Sequence, residues 1–164
     1  MLLANPKGFE RMPRKGCGPH VARWILNSQG KEYDSNDGLN YSPVLPRAMQ
    51  TLLQRGGLTP KMNSLGNLSG RMKLNLLRLA VDQGKPVALF VMGRSGIIPH
   101  WVAVARYLPQ WESFLVYDPA LEYYAHPDLL VGNRCIRNDE LLSLWSLGWW
   151  GKLWPNWQNL CITL

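Results

Sequence analysis

The sequence predicts an α+β fold in which N-terminal helices pack on a C-terminal antiparallel sheet. Up to about Gly84, apolar residues recur at helical spacing between glycine and proline stops, whereas from Lys85 onward they form short β-prone runs. Two of these runs, HWVAVARY and SFLVYDP, are separated only by LPQWE, which favours an antiparallel hairpin. Helices followed by strands are typical of the α+β class, because βαβ units would alternate the two.

Three helices are predicted in the first half of the chain. Pro19 suits the first turn of a helix, and apolar residues then recur at helical spacing as far as Gly30. The segment LPRAMQTLLQRGG predicts a second helix that its two final glycines end. Ser69 can cap a third helix, GRMKLNLLRLAVDQG, through its hydroxyl. The apolar stripe predicted on this third helix consists of Met72, Leu76, Leu79 and Ala80.

The second half is predicted to supply most of the sheet. PVALFVM is a continuous apolar run, as expected of a strand that is buried on both faces. The hairpin follows it, Asn138 can cap a short helix DELLSLWS, and NLCITL predicts a final strand. Five of the eight tryptophans lie in LWSLGWWGKLWPNW, which we interpret as packing in the core and at its rim.

Length and cysteine content limit the class of protein. A chain of 164 residues is expected to form a single domain spanning residues 1–164. Its three cysteines, Cys17, Cys135 and Cys161, are widely spaced and include no CxxC pair, so neither disulfides nor a structural zinc site is expected. We also expect no cofactor and no other metal. The N-terminal apolar run is too short for a signal peptide, and no apolar stretch reaches spanning length. We therefore expect no membrane insertion, and a location in the cytoplasm or delivery by a route without a signal peptide.

The chain is basic, with 18 Lys and Arg residues against 11 Asp and Glu residues and a net charge of +7. Apart from a short N-terminal group, the basic residues are scattered through the sequence, whereas nucleic-acid binding favours a dense patch. We therefore expect a protein or peptide partner and no nucleic-acid partner. The sequence carries no indication of oligomeric state.

One cysteine stands at the start of a predicted helix, in KGCGPHVARWIL. The unpaired N–H groups and the dipole of a helix N-terminus favour a thiolate there, which lowers the pKa of a cysteine. The glycines on either side of Cys17 leave the approach to its sulfur open. Cys17 is therefore the candidate nucleophile, whereas Cys135 and Cys161 lack this context.

A cysteine nucleophile needs a base, and the chain has three histidines, His20, His100 and His126. His100 opens a predicted strand after the turn GRSGIIP, so its side chain is expected at the rim of the sheet. Asp118 ends the partner strand of the same hairpin, where its carboxylate can lie beside His100 and hold the imidazole. The pattern predicts Cys17 as nucleophile, His100 as base and Asp118 as orienting group.

This arrangement resembles the papain-like cysteine peptidases of the bacteriocin-processing type, which cleave after double-glycine leaders. The similar segments are GCGPHVARWIL, GKPVALFVMG, HWVAVARY and FLVYDPA, and the acidic segment NDELLSLWS matches a closing helix with a tryptophan. The resemblance covers nearly the whole chain. It implies a papain-like fold and a hydrolase that cleaves peptide amide bonds through an acyl-thioenzyme, with Cys17, His100 and Asp118 as its triad.

Arg11 departs from the family pattern, because members carry a glutamine at this position ahead of the cysteine, and its amide donates to the oxyanion. Two alternatives therefore stay open. One is a deamidase or transglutaminase-type toxin or effector that acts on protein glutamine, since an amine or water can resolve the same acyl-enzyme. The other is a catalytically dead papain-like binding module.

Overall fold

The computed structural model of the chain describes residues 16–33, 44–93, 96–121 and 132–164. The helices are α1 (Cys17–Ser28), α2 (Pro46–Arg55), α3 (Gly70–Asp82), α4 (Asn138–Trp145) and α5 (Gly148–Leu153). The strands are β1 (Lys61–Ser64), β2 (Val87–Met92), β3 (Pro99–Leu108), β4 (Ser113–Tyr117), β5 (Arg134–Arg137) and β6 (Leu160–Thr163). These strands form one antiparallel sheet in the order β1-β6-β2-β3-β4-β5, which confirms the predicted α+β class.

The helix starts follow the predicted local signals. Gly16 precedes α1 with φ 126°, a backbone conformation that glycine adopts far more readily than other residues. The Ser69 hydroxyl accepts a hydrogen bond from the Met72 N–H at 3.3 Å and so caps α3, as predicted. Pro46 is the first residue of α2, where its missing N–H has no helical acceptor.

Both faces of the central strands β2, β3 and β4 are mostly buried, and α1 and α2 cover one of them. Phe90 and Ala103 point toward these helices and pack with Ile25 and Met49. On the opposite face, Val104 and its neighbours pack against α3 and α4. The first five of the six residues of β2 are buried, so alternate side chains enter different halves of the core, as its continuous apolar run predicted.

The predicted apolar stripe of α3 is wrong for three of its four residues, since only Ala80 packs against the core. Met72, Leu76 and Leu79 are 53, 44 and 59% exposed. The residues that pack into the core are instead Leu74, Leu77 and Val81. This helix carries two apolar sets at helical spacing, so periodicity alone does not select the face that meets the sheet.

The predicted cap of α4 is also wrong by one position, because Asn138 is the first helical residue and Arg137 is the N-cap. Strand β5 runs into α4 without a loop, and the Asn138 N–H donates to the Glu112 carbonyl at 3.1 Å. This backbone bond extends the strand pairing as far as Asn138. The residue that precedes the helix is therefore Arg137, and Asn138 lies inside α4. Neither β5 nor α5 was predicted from the sequence.

The tryptophan-rich segment divides between core and rim. Trp145 is fully buried, and its Nε1 donates to the Leu160 carbonyl at 2.8 Å. The other four tryptophans form a row with successive ring centroids 4.6, 4.8 and 5.4 Å apart: Trp149, Trp150, Trp154 and Trp157. The last ring packs edge-on against Phe90 of the core at 5.8 Å. The row therefore anchors the C-terminal segment to the sheet, consistent with a packing role.

Candidate active site

Cys17 is the first residue of α1, and its sulfur lies against the beginning of β3. The backbone N–H of Trp101 points at the Cys17 Sγ at 3.5 Å. A Cβ on Gly18 would overlap the side chain of Val44, so close packing requires a glycine directly after the cysteine. The sequence thus sets this thiol at a helix start, and packing holds it at one edge of the sheet.

His100 is the second residue of β3 and lies between Cys17 and Asp118. Its Nε2 is 2.7 Å from Asp118 Oδ1, and the same ring is a hydrogen-bond partner of the Cys17 thiol. An ionised carboxylate can only accept hydrogen bonds, so Nε2 carries a proton and Nδ1 is left for the sulfur. In this tautomer the imidazole can exchange a proton with the thiol.

Asp118 follows directly after β4 and is almost fully buried, with a relative exposure of 1%. In the strand register Ala103 faces Tyr117, so continuing it by one residue sets Asp118 diagonal to His100. The Asn133 side chain clamps the Asp118 backbone, since its Oδ1 accepts from the Asp118 N–H at 2.7 Å and its Nδ2 donates to the Asp118 carbonyl at 2.8 Å. The Ala120 N–H also donates to Asp118 Oδ1, at 3.0 Å.

A cation completes the surroundings of this carboxylate. Arg134, the first residue of β5, donates from one guanidinium nitrogen to Asp118 Oδ2 at 3.1 Å and from the other to Glu140 Oε1 at 2.8 Å. Sequence reasoning missed both Asn133 and Arg134. The short alternating run RCIR was a weak sign of a strand, but which residue of the sheet it would face depends on strand pairing.

The electrostatics of the site favour a thiolate and an imidazolium. Burial raises the pKa of Cys17, but the hydrogen bond and charge of His100 and the N–H groups of Trp101 and Gly18 outweigh burial, so the pKa falls below its usual value. Burial lowers the pKa of His100, whereas Asp118 and Cys17 raise it, and the result is about 9. Burial likewise raises the pKa of Asp118, but chiefly His100 brings it below the usual range. At neutral pH the arrangement therefore supports an ion pair.

The structure also describes three other residues that the sequence analysis weighed, His20, Cys135 and Cys161. His20 lies on α1, where its backbone N–H bonds to the Gly16 carbonyl at 3.4 Å. Cys135 is an exposed free thiol, whereas Cys161 is buried, and burial raises its pKa to about 12. Arg11 and His126 lie outside the described residues.

The described ranges contain neither a helix suited to span a membrane nor a cluster of metal ligands. None of the helices there combines the length and apolarity that crossing a bilayer requires. Within the same ranges, no three His, Cys, Asp or Glu side chains are grouped so that they could hold a metal ion.

Comparison with known proteins supports the predicted fold. No protein-family model matches the chain, and no curated protein matches it in sequence. The chain is similar in structure to a protein from Bacillus anthracis described as a "putative C39-like peptidase", with a TM-score of 0.58 at 15% identity. The likeness covers 99% of this chain and 95% of the other. The chain therefore has the fold of a papain-like peptidase.

Proposed function

We propose that the protein is a cysteine-dependent hydrolase of peptide amide bonds in which Cys17, His100 and Asp118 form a catalytic triad. The observation that carries the proposal is the continuous set of contacts from the Cys17 thiol through the His100 ring to the buried Asp118 carboxylate. The likeness in fold to a protein described as a C39-like peptidase supports the same reaction class. Structural cysteines are usually inert and rarely lie beside a histidine that is itself held by a carboxylate.

The reaction begins with attack of the Cys17 thiolate on the carbonyl carbon of the substrate amide. The His100 imidazolium then gives its proton to the leaving amine, the C–N bond breaks and a thioester forms. Neutral His100 next takes a proton from water, whose oxygen attacks the thioester. The C–S bond breaks, which releases the acid and restores the thiolate and imidazolium pair. Asp118 stays ionised throughout and stabilises the charged ring.

The oxyanion formed in each step needs donors that point at it. The backbone N–H of Cys17 lies in the first turn of α1, where no acceptor of the same helix is available to it. This N–H is the first donor in the proposed mechanism. Arg11 stands where the family has its glutamine and is the candidate for the second donor.

The proposed substrates are peptides or proteins, and the resemblance to the bacteriocin-processing peptidases points to a substrate whose leader segment ends in a double glycine, with cleavage directly after it. The test incubates the protein with peptides that carry a Gly-Gly junction and with a mixture of unrelated peptides, and mass spectrometry identifies new termini. The Cys17→Ala variant is the control for each digest. New termini that depend on Cys17 support a peptidase, and termini confined to the Gly-Gly peptides support the leader type.

The same assay separates the two alternatives. A one-unit mass gain at glutamine, or incorporation of an added primary amine without cleavage, would replace the peptidase by a deamidase or transglutaminase. Absence of any Cys17-dependent turnover across the substrates, together with an unreactive Cys17 thiol, would replace it by a binding module.

A further inference from the structure

A partly buried cation lies next to the carboxylate that holds His100, and the proposed chemistry gives it no role. Arg134 pairs with Val116 across strands β4 and β5, and Asp118 lies two residues beyond Val116. These positions are diagonal neighbours on one face of the sheet, within reach of a long side chain. The guanidinium is 19% exposed and lies 3.1 Å from the oxygen of Asp118 that His100 does not contact.

We propose that Arg134 is a positioning residue that fixes the Asp118 carboxylate and limits, through its charge, how strongly that carboxylate holds the protonated His100 ring, with Glu140 as its counter-charge. This inference rests on the proposed function, in which protonated His100 is the acid. A cation on one oxygen of a carboxylate weakens the attraction that the other oxygen exerts on a second cation. Arg134 therefore favours release of the His100 proton, which each turnover requires.

Glu140 allows the charge beside the Asp118 carboxylate to be changed in the opposite direction to a substitution of Arg134. It lies on α4, 48% exposed, and its Oε1 accepts from Arg134 at 2.8 Å. The guanidinium fork thus spans two carboxylates, one buried and one at the surface, and this bridging geometry suits arginine better than lysine. Neutralising Glu140 removes one of the two anions that face Arg134, whereas neutralising Arg134 removes the cation that competes with His100 for the Asp118 carboxylate.

Asp118 is also held by Asn133 and Ala120, so the effect of the charge of Arg134 can be distinguished from mechanical support of the carboxylate. The Asn133 side chain holds the Asp118 N–H and carbonyl, and the Ala120 N–H holds Oδ1, so the carboxylate keeps anchors without Arg134. Among the described residues, the titratable and charged groups on the elements around this edge also include Cys17, His20 and Arg23 on α1, Arg106 and Tyr107 on β3, Tyr117 on β4 and Cys135 on β5. The exposed pair of Arg137 and Asp139 lies further out, 75 and 78% exposed, and solvent screens it.

The test measures the titration of the His100 ring by NMR in the wild type and in Arg134→Gln, Arg134→Lys and Glu140→Gln. Without the cation, Arg134→Gln should raise the pKa of His100 above its value of about 9 by roughly half a unit. Arg134→Lys keeps the charge but loses the fork that bridges two carboxylates, so its pKa for His100 should fall between those of the wild type and Arg134→Gln. Glu140→Gln should shift the pKa downward by a smaller amount.

Opposite shifts in Arg134→Gln and Glu140→Gln support the proposal, because loosened packing would move both variants in the same direction. An unchanged pKa in Arg134→Gln, or a shift of the same sign in both variants, would overturn it. If circular dichroism shows Arg134→Gln unfolded, Glu140→Gln decides alone, and no downward shift would reject the proposal. The titration needs no substrate, so it judges Arg134 even if Cys17 proves unreactive and the proposed function fails.

Discussion

His100 Nε2 lies 2.7 Å from Asp118 Oδ1, and the two residues are brought together by the register of a β-hairpin. The carboxylate is 1% exposed and the imidazole 13% exposed, so water screens their attraction poorly. Because the carboxylate binds the ring at Nε2, the other ring nitrogen is directed to the thiol of Cys17.

Cys17 should be the most reactive of the three cysteines at mildly acidic pH. Its pKa is below the usual value, so a thiolate persists where an ordinary thiol is almost fully protonated. Iodoacetamide at about pH 6, followed by peptide mass spectrometry, should alkylate Cys17 on the order of tenfold faster than exposed Cys135. Buried Cys161, whose pKa is raised to about 12, should stay unmodified. Equal labelling of Cys17 and Cys135 would contradict an activated thiolate.

Activity should fall on the alkaline side as pH rises through about 9. The pKa of His100 is raised above the value of a free histidine, so the imidazolium that protonates the leaving amine persists to about pH 9 and is lost above it. The pH dependence of kcat/KM on a cleaved peptide measures this limb, and Asp118→Asn should move it to lower pH. A wild-type limb near 6.5, the ordinary histidine value, would show that Asp118 does not stabilise the charged ring.

Asp118→Asn should fold normally and lose activity less completely than Cys17→Ala. The Asn133 clamp holds the backbone of residue 118 whatever its side chain, but an amide supplies no charge to the ring and can favour the wrong tautomer. We expect kcat to fall by roughly 100- to 10,000-fold, against complete loss in Cys17→Ala. Thermal unfolding checks the fold, and wild-type kinetics in Asp118→Asn would assign the orienting role elsewhere.

Asn133→Ala should destabilise the protein and reduce activity together. The substitution leaves the N–H and the carbonyl of Asp118 without their partner in a buried site, at a cost of about 2 to 4 kcal/mol in the free energy of unfolding. Urea unfolding measures this cost. The matched control is Asn63→Ala at the edge of the sheet, which should cost less than about 1 kcal/mol. Equal effects in the two variants would mean that the clamp is not structural.

Arg11 variants test the second oxyanion donor. If the arginine donates to the oxyanion, Arg11→Ala should lower kcat by about 100- to 1,000-fold with little change in KM, because the contact forms only in the transition state. Arg11→Gln should retain or raise the rate, since it restores the amide typical of the family. Steady-state kinetics on one cleaved peptide compares the variants. An unchanged kcat in Arg11→Ala would assign the donor to another group.

Much of the fold was predictable because its signals are local. Gly16 and Pro19 mark the start of α1, Ser69 caps α3 through a hydroxyl three residues from its partner, and the apolar run from Val87 marks a buried strand. The hairpin could be predicted for the same reason, since its strands are joined by a short turn. His100 and Asp118 could be paired from the sequence because that hairpin brings its own ends together.

Contacts between distant segments were decided only by the tertiary structure. The choice between two apolar faces of α3 depended on which set of side chains fits the sheet, so Leu77 is buried whereas Leu76 is exposed. The contacts that Asn133 and Arg134 make with Asp118 depend on the register of β5 against β4. A change of one residue in that register would turn Arg134 to the other face of the sheet, and nothing near Arg134 in the sequence specifies the pairing.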